Sequence, residues 1–193
     1  MNLTRILSIV FLVIALGLGY FLFSRIDSRI EEDKRIARIE KQVIEKLKMI
    51  REAQKTYQAI HGRYASDWEN LIDFVDTGRI FIVEIKEEIH TLSYGRDSVS
   101  ILRDTLGSVL VKDSIFSKYP NFNVERLPYI PGSDKKFEIY ADEIDRAGVQ
   151  VDVVEVRDVD PVNPARNEKN EAFNQKPLRF GSRTEVSTSG NWE

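Results

Sequence analysis

Hydrophobic residues run without interruption near the amino terminus and then become periodic. Residues 6–23 carry no charged side chain and a single serine, and about 18 residues at 1.5 Å rise give roughly 27 Å of apolar helix, enough to cross a bilayer. The run follows Arg5, as in a cleavable signal peptide, but no small-residue cleavage site comes after it. The pattern therefore predicts an uncleaved transmembrane anchor over residues 1–23. Its anchor residues are represented by Ile6, Phe11, Leu16 and Phe23.

The segment 24–62 is predicted to continue this anchor as a stalk helix. Apolar residues recur there at three- and four-residue steps between charged ones. Ile36 and Val43 are seven residues apart, which predicts a short coiled-coil stretch. Such a stripe packs either on the chain's own domain or on helices of other subunits; we expect assembly for 26–44 and intramolecular core for 47–60. The predicted helix-interaction stripe consists of Ile26, Ile30, Ile36 and Val43.

A glycine-tyrosine turn ends the predicted stalk helix. Gly62 fits a left-handed helix cap, and Tyr64 follows it in the turn. Ser66 and Glu69 have the spacing of a capping box, so a second helix is expected through about Asp76. The predicted buried face of that helix consists of Trp68, Leu71, Ile72 and Val75.

Short apolar runs after the second helix predict a small antiparallel sheet. Runs rich in β-branched and aromatic residues favour strands at 79–85, 109–116, 137–141 and 149–156. The stretch 86–105 fits either a helix or a charged excursion. We expect the sheet to pack on the distal half of the stalk helix, which gives an α+β fold class.

The predicted organisation places an α+β domain at 63–160 and a polar connector with a C-terminal segment at 161–193. Residues 161–177 are polar and rich in asparagine, which is typical of a mobile connector. The apolar residues that follow predict an edge strand or a docking segment. Trp192, next to the C-terminal residue, fits ordinary sheet packing or a peptide-like ligand.

The residues around the turn resemble those of type IV pilins and type II secretion pseudopilins. In these families a long amino-terminal helix ends in a glycine-tyrosine turn, followed by a short helix and a β-sheet. Within 50–75 the likeness is carried by Ala53, Tyr57, Gly62, Tyr64 and Leu71. The resemblance implies a pilin-like fold and a place in an envelope assembly.

The chain departs from pilins at the prepilin processing site. Thr4 and Arg5 stand where a glycine is needed, and Val10 stands where pilins have glutamate. Prepilin cleavage and a glutamate-dependent filament register are therefore not implied. A closer resemblance, along most of the chain, is to single-span envelope proteins of Bacteroidota. It is carried by residues 61–64, 113–116, 127–131 and 190–193.

Charges beside the anchor leave its orientation open to two interpretations. Arg5 lies on one side, and Arg25, Arg29, Lys34 and Arg35 lie on the other, which alone favours a periplasmic amino terminus. Acidic residues are interleaved with these downstream cations, and the amino-terminal tail is short. Together with the resemblance, this predicts a single-pass inner-membrane protein with a cytoplasmic amino terminus and the bulk of the chain in the periplasm.

Composition and motifs point away from catalysis. The net charge of −3 disfavours nucleic acid as a partner, and the absence of cysteine removes thiol chemistry and Cys-based metal sites. Nucleophile-elbow, P-loop, Rossmann and zincin patterns are absent, and His61 and His90 are the only histidines. Acidic clusters at 142–145 and 158–163 fit solvated turns better than a calcium loop. No catalytic, cofactor-binding or metal residues are therefore predicted.

The sequence predicts a membrane-anchored, non-enzymatic structural or interaction subunit of a bacterial envelope assembly, pseudopilin-like and related to secretion or pili. Its expected partners are membrane lipid and, through the stalk helix, other proteins or further copies of itself. The alternative is a stand-alone anchored module that recognises a periplasmic ligand or peptide.

Overall fold

The computed structural model describes residues 3–91, 97–119 and 122–193, and it confirms an α+β chain with a long helix. The chain divides into two compact units, Met1–Gln42 and Val43–Glu193. Two small antiparallel sheets are described where the sequence predicted one.

The first helix, α1, spans Leu3–His61, and Gly62 ends it as predicted. Gly62 has φ of 76°, and its N–H donates to the Gln58 carbonyl oxygen at 2.8 Å. This left-handed conformation favours glycine because it has no Cβ. Within the described ranges, no helix combines the length and apolar character that crossing a membrane requires.

The second helix, α2, spans Trp68–Thr77, but its N-cap is Asp67 and not Ser66. The Asp67 carboxylate accepts the Asn70 N–H at 2.8 Å, and this bond lowers the pKa of Asp67. The prediction of the buried face was partly wrong. Leu71 and Val75 are buried and Phe74 completes the face, while Trp68 and Ile72 are only half-buried. Trp68 Nε1–H instead donates to the Phe137 carbonyl oxygen at 2.9 Å.

The first sheet is a long hairpin formed by β1 (Arg79–Thr91) and β2 (Asp97–Leu110). The prediction for 86–105 was wrong in both forms, since the described residues of this stretch continue the two strands. Leu106 has no partner in the register, which marks a β-bulge opposite the Ile82–Val83 step. A short helix, α3 (Val111–Ile115), follows β2. It lies within the stretch 109–116 that had been predicted as a strand.

The second sheet has the order β3–β4–β5, with every neighbouring pair antiparallel. Its strands are β3 (Glu138–Arg146), β4 (Val149–Arg157) and β5 (Arg179–Gly181). Ala147 and Gly148 form the β3–β4 turn, with φ of 55° and 85°, as a tight antiparallel hairpin of this hand requires. Gly181 has φ of 81°, and a Cβ there would meet the Val154 carbonyl oxygen at 1.9 Å.

The core lies within the second unit. The distal half of α1 contributes Leu47, Ile50 and Ala53, all fully buried, which confirms the assignment of this part of the helix to the core. The central strand β4 is buried along consecutive residues in its second half, so it is covered on both faces. Other buried apolar residues are Leu71, Val75, Val111, Leu127, Phe137, Val153, Val154, Val156, Leu178 and Phe180.

Candidate functional site

The predicted anchor residues lie in the first part of α1. Phe11 and Leu16 are 64% and 68% exposed, and every side chain described from Leu7 to Phe21 is exposed as well. A helix that is apolar on all sides belongs either in a protein core or in a membrane. Ile6 and Phe23 are part of the helix, and their side chains lie outside the described part of the structure.

The predicted helix-interaction stripe is shorter than the sequence indicated. Val43 is 1% exposed and belongs to the core of the second unit, so it is not available to a partner. Ile30 is exposed and Ile36 is half-buried. Six residues of α-helix separate these two by about 120° around the axis, so they do not share a face. The side chain of Ile26 is outside the described part of the chain.

A polar cleft lies beside the turn that carries Gly62 and Tyr64. Its volume is about 340 Å³. The residues that line it include Tyr57, Arg63, Tyr64, Asp142, Glu143 and Asp152. The buried Gln54 holds the turn in place, because its side-chain amide pairs with both the N–H and the carbonyl oxygen of Ala65, each at 2.9 Å.

The chemistry of this cleft is that of a polar contact surface. Burial, and then the nearby carboxylate of Asp152, raise the pKa of the Tyr64 hydroxyl, so this group stays a neutral hydrogen-bond donor. Arg63 and the carboxylates provide charges of both signs. Across the described ranges, no three acidic, histidine or cysteine side chains are grouped as a metal ion would require. His61 packs against the rings of Tyr57 and Phe74, with centroids 4.3 and 5.4 Å away.

Six alternating charges form a closed ring across the second sheet. Arg157 bridges Glu138 and Glu168, Arg179 bridges Glu168 and Glu155, and Arg183 bridges Glu155 and Glu138. The members are Glu138, Glu155, Arg157, Glu168, Arg179 and Arg183, and we call this set the charge ring. It joins all three strands to the connector, so it fixes segments that are distant in sequence.

The charge ring is most buried at Arg179 and Glu155, whose side chains are 8% and 9% exposed. Arg183 donates to Glu155 at 2.8 Å, and this hydrogen bond raises the pKa of Arg183. Burial alone would raise the pKa of Glu138, but hydrogen bonds from Arg157 and Arg183 outweigh it and lower that pKa. The charges are therefore mutually satisfied, which buried ions require. The charge ring therefore stabilises the sheet.

The C-terminal segment packs on its own chain. The buried Asn191 amide donates to the carbonyl oxygens of Phe173, Lys176 and Pro177 at 3.0–3.2 Å. Its side-chain oxygen accepts the Arg179 N–H at 3.1 Å. Glu193 pairs with Arg51 of α1 at 2.7 Å, and the Arg51 guanidinium lies 5.9 Å from the centre of the Trp192 ring. Phe180 also bridges to Gly190, so the segment adds to the edge of the sheet.

The β1–β2 hairpin exposes apolar side chains on both of its faces. Eight of them are 36–65% exposed. They are Phe81, Ile82, Val83, Ile85, Ile101, Leu102, Leu106 and Val109. Exposed apolar residues that lie next to one another mark interaction sites more often than scattered single ones do. No other element of the second unit has as many described exposed large apolar side chains.

The sequence analysis missed the charge ring and the full length of the β1–β2 hairpin, of which it predicted the stretch 79–85. The charge ring joins residues 11 to 45 positions apart, as in the pairs Arg179–Glu168 and Arg183–Glu138, and no local pattern indicates such pairings. The hairpin did leave a signal, because apolar and charged residues alternate from Val83 to Lys86 as in a strand.

No protein-family model, curated protein or solved structure matches this chain.

Proposed function

We propose that this protein is a membrane-anchored, non-enzymatic interaction subunit of a bacterial envelope assembly. The observation that carries the proposal is the first part of α1, where apolar side chains are exposed on every side of the helix. Such a surface is stable only when lipid or protein covers it. The uncharged run 6–23 is long enough for lipid to do so.

The second unit supports an interaction role. Its hairpin carries a further exposed apolar surface. The charged side chains of the charge ring pair with one another and hold the sheet together. The proposed orientation is that of the sequence analysis, with a cytoplasmic amino terminus and a periplasmic second unit. The resemblance to pseudopilins supports this arrangement, and the departures at Arg5 and Val10 favour a permanent anchor over a processed pilus subunit.

Membrane fractionation of the full chain tests the anchor. Leu12→Arg combined with Ile14→Arg places two cations in the apolar run, each costing about 2.5–3.5 kcal/mol at the bilayer centre. We expect this variant to leave the alkali-resistant membrane fraction. The matched control, Leu12→Ile with Ile14→Leu, keeps the apolar volume and should stay there. An unmodified chain that alkali extracts from membranes would refute the anchor.

Cysteine labelling tests the orientation. The chain has no cysteine, so Glu185→Cys introduces a single thiol at an exposed position of the second unit. A membrane-impermeant maleimide should label it once the outer membrane is permeabilised, without lysis of the inner membrane. Labelling that requires inner-membrane lysis would reverse the proposed topology.

A second candidate function is a stand-alone anchored binding module. The cleft beside Tyr64 favours it, since a cavity of about 340 Å³ has room for a small polar ligand. Such a module works as a monomer. Crosslinking in membranes separates the two candidates, because only the interaction subunit should give crosslinked species through its exposed apolar surfaces.

A further inference from the structure

Strand β3 forms one edge of the three-stranded sheet. The hydrogen bonds of its neighbour β4 show which way its backbone groups point. Ser182 N–H donates to the Val154 carbonyl oxygen at 3.0 Å. Asp158 N–H donates to the Leu178 carbonyl oxygen at 2.8 Å. Because backbone groups alternate along an antiparallel strand, even-numbered residues of β4 bond towards β5 and odd-numbered ones bond towards β3.

The strand register transfers this alternation to β3. Even-numbered residues of β3 pair with odd-numbered residues of β4, as Tyr140 does with Glu155, so the backbone groups of the odd-numbered residues of β3 point away from the sheet. At Phe137, just before the strand, both outward groups have partners. Its N–H donates to the Pro128 carbonyl oxygen at 2.8 Å, and its carbonyl oxygen accepts the Trp68 Nε1–H. The unpaired part of the edge therefore begins after this residue.

We call the outward backbone groups of Ile139, Ala141, Glu143 and Asp145 the open edge of β3. The Glu143 N–H is capped by the carboxylate of Asp142 at 2.9 Å. The other outward N–H groups, and the outward carbonyl oxygens, have no hydrogen-bond partner among the residues that the structure describes. A row of unpaired backbone groups is a template for a further strand.

The polar cleft beside Tyr64 lies along this open edge. Ala141 and Glu143 line it from β3, and Asp152 lines it from β4. Glu143 and Asp152 pair directly across the two strands, and like charges in such a position destabilise a sheet. Within the described ranges, neither carboxylate has an ion-pair partner. A cation from outside the chain would relieve this repulsion.

The charges around the open edge and the cleft sum to a negative value. Glu138 is already paired in the charge ring, so it is left out of the sum. Of the remaining residues of β3 and the cleft lining, four are acidic and two are basic, which leaves a charge of −2. They are Arg63, Asp142, Glu143, Asp145, Arg146 and Asp152. A partner that adds a strand here is therefore favoured when it is basic.

We propose that the open edge of β3 receives an extended segment of a partner protein as a fourth strand, and that a lysine or arginine side chain of this segment enters the cleft. The inference rests on the proposed function and deepens it by naming the surface and the kind of partner. Backbone hydrogen bonds supply affinity in such strand addition, and a pocket for an alternate side chain supplies specificity. The cleft, of about 340 Å³, has room for one such side chain. Tyr57 and Tyr64 in its lining offer aromatic surface to the methylene groups.

Charge disfavours the symmetric alternative, in which β3 of two copies pair with each other. Each copy would bring Asp142, Glu143 and Asp145 against the same residues of its partner. Like charges on neighbouring strands are unfavourable. A basic segment of a different sequence avoids this repulsion, which is why we assign the open edge to such a segment.

Peptide selection with the purified full chain in detergent tests the proposal. The probe is a displayed library of random nine-residue peptides. We expect the enriched peptides to contain lysine or arginine, with β-branched or aromatic residues at alternate positions. Glu143→Lys with Asp152→Lys should reverse the selection towards aspartate and glutamate, because the cleft is then basic. The matched control, Glu125→Lys with Asp134→Lys, makes the same changes at exposed sites outside the cleft and should select the same peptides as the unmodified chain.

A proline at the open edge separates strand addition from binding of a cation alone. Ala141→Pro removes one outward N–H and leaves the bonds to β4 in place, as edge strands tolerate. Affinity for a selected peptide, measured by fluorescence anisotropy, should fall by about tenfold, as expected for one lost hydrogen bond. Ala141→Ser keeps the N–H and should bind the peptide like the unmodified chain. Unchanged amide exchange in β4 would show that the sheet of both variants is intact.

Amide hydrogen exchange of β3 gives a residue-by-residue readout of strand addition. On addition of a selected peptide, exchange at Ile139, Ala141 and Asp145 should slow, because these N–H groups gain partners. Exchange at Tyr140 and Ile144 should stay the same, because their N–H groups are already bonded within the sheet.

Three results would overturn the proposal. They are a library from which no peptide is enriched, enriched peptides that are not basic or that ignore the charge reversal, and binding that survives Ala141→Pro without slower exchange at the odd-numbered residues. The last result would mean that the cleft holds a cation without a fourth strand. Membrane association does not depend on the cleft. Failed peptide binding by a chain that resists alkali extraction therefore refutes the strand addition and leaves the proposed anchor standing, whereas alkali extraction of the unmodified chain refutes the anchor whichever peptides bind.

Discussion

The two sheets of the second unit contain similar β-branched strands, and they differ in what covers them. Phe180 in β5 is fully buried, while Phe81 in β1 is 65% exposed. The three-stranded sheet is covered by the distal part of α1 and the C-terminal segment. Its charged side chains are paired in the charge ring. The hairpin has its own two strands for most of its length. Apolar content alone therefore does not decide how far a strand is buried, and the hairpin is the part of the second unit where strongly apolar strands stay exposed.

The largest expected effect comes from the same substitution made in both sheets. Phe180→Ala should lower the free energy of unfolding by about 4 kcal/mol, because it removes a fully buried ring and leaves a cavity. Phe81→Ala should change it by less than about 0.5 kcal/mol, as surface substitutions do. Urea unfolding of the detergent-solubilised chain at low concentration measures both. Equal losses from the two variants would mean that the hairpin is already covered within one chain.

Removing the most buried arginine of the charge ring should have the next largest effect. Arg179→Ala leaves Glu155, whose side chain is 9% exposed, with Arg183 alone and deprives Glu168 of a partner. We expect a loss of about 3 kcal/mol, since breaking a buried ion pair leaves an uncompensated charge. Arg146→Ala, at an exposed position of the β3–β4 turn region, is the control and should be nearly neutral. A neutral Arg179→Ala would show that the charge ring does not hold the connector to the sheet.

The sequence predicted those elements that depend on residues close together in the chain. Gly62 was predicted as a cap because a left-handed residue after an amphipathic helix favours glycine, and the apolar stripe of α1 led to the expectation that 47–60 belongs to the core. Ser66 and Asp67 are both good N-caps, so spacing alone did not decide between them. The first part of β1 was predicted as a strand at 79–85, but the length of the hairpin was missed, because none of its described side chains is buried and no clear single-face pattern results. The cleft and the charge ring depend on long-range pairings that no local signal encodes.

Acid should weaken the three-stranded sheet through Glu138. The folded pKa of Glu138 lies below its ordinary value, so its contribution to stability is present above the unfolded pKa of about 4.5 and is lost as pH falls through the folded pKa. Unfolding measured from pH 6 down to pH 3 should therefore show falling stability. Glu138→Gln should reduce the slope in this window, and Glu125→Gln, whose carboxyl is exposed and outside the ring, should leave it unchanged. A slope that Glu138→Gln does not alter would remove Glu138 from the acid response.

The smallest expected effect concerns the hairpin alone and tests whether its charges interact within the single chain. Asp104→Lys converts the Glu84–Asp104 cross-strand pair from like to opposite charges, which should stabilise the isolated hairpin by about 0.2–1 kcal/mol. Amide hydrogen exchange of β1 and β2 in dilute detergent should slow accordingly, while exchange in β4 stays the same. Faster exchange would mean that Asp104 has a favourable partner in the single chain.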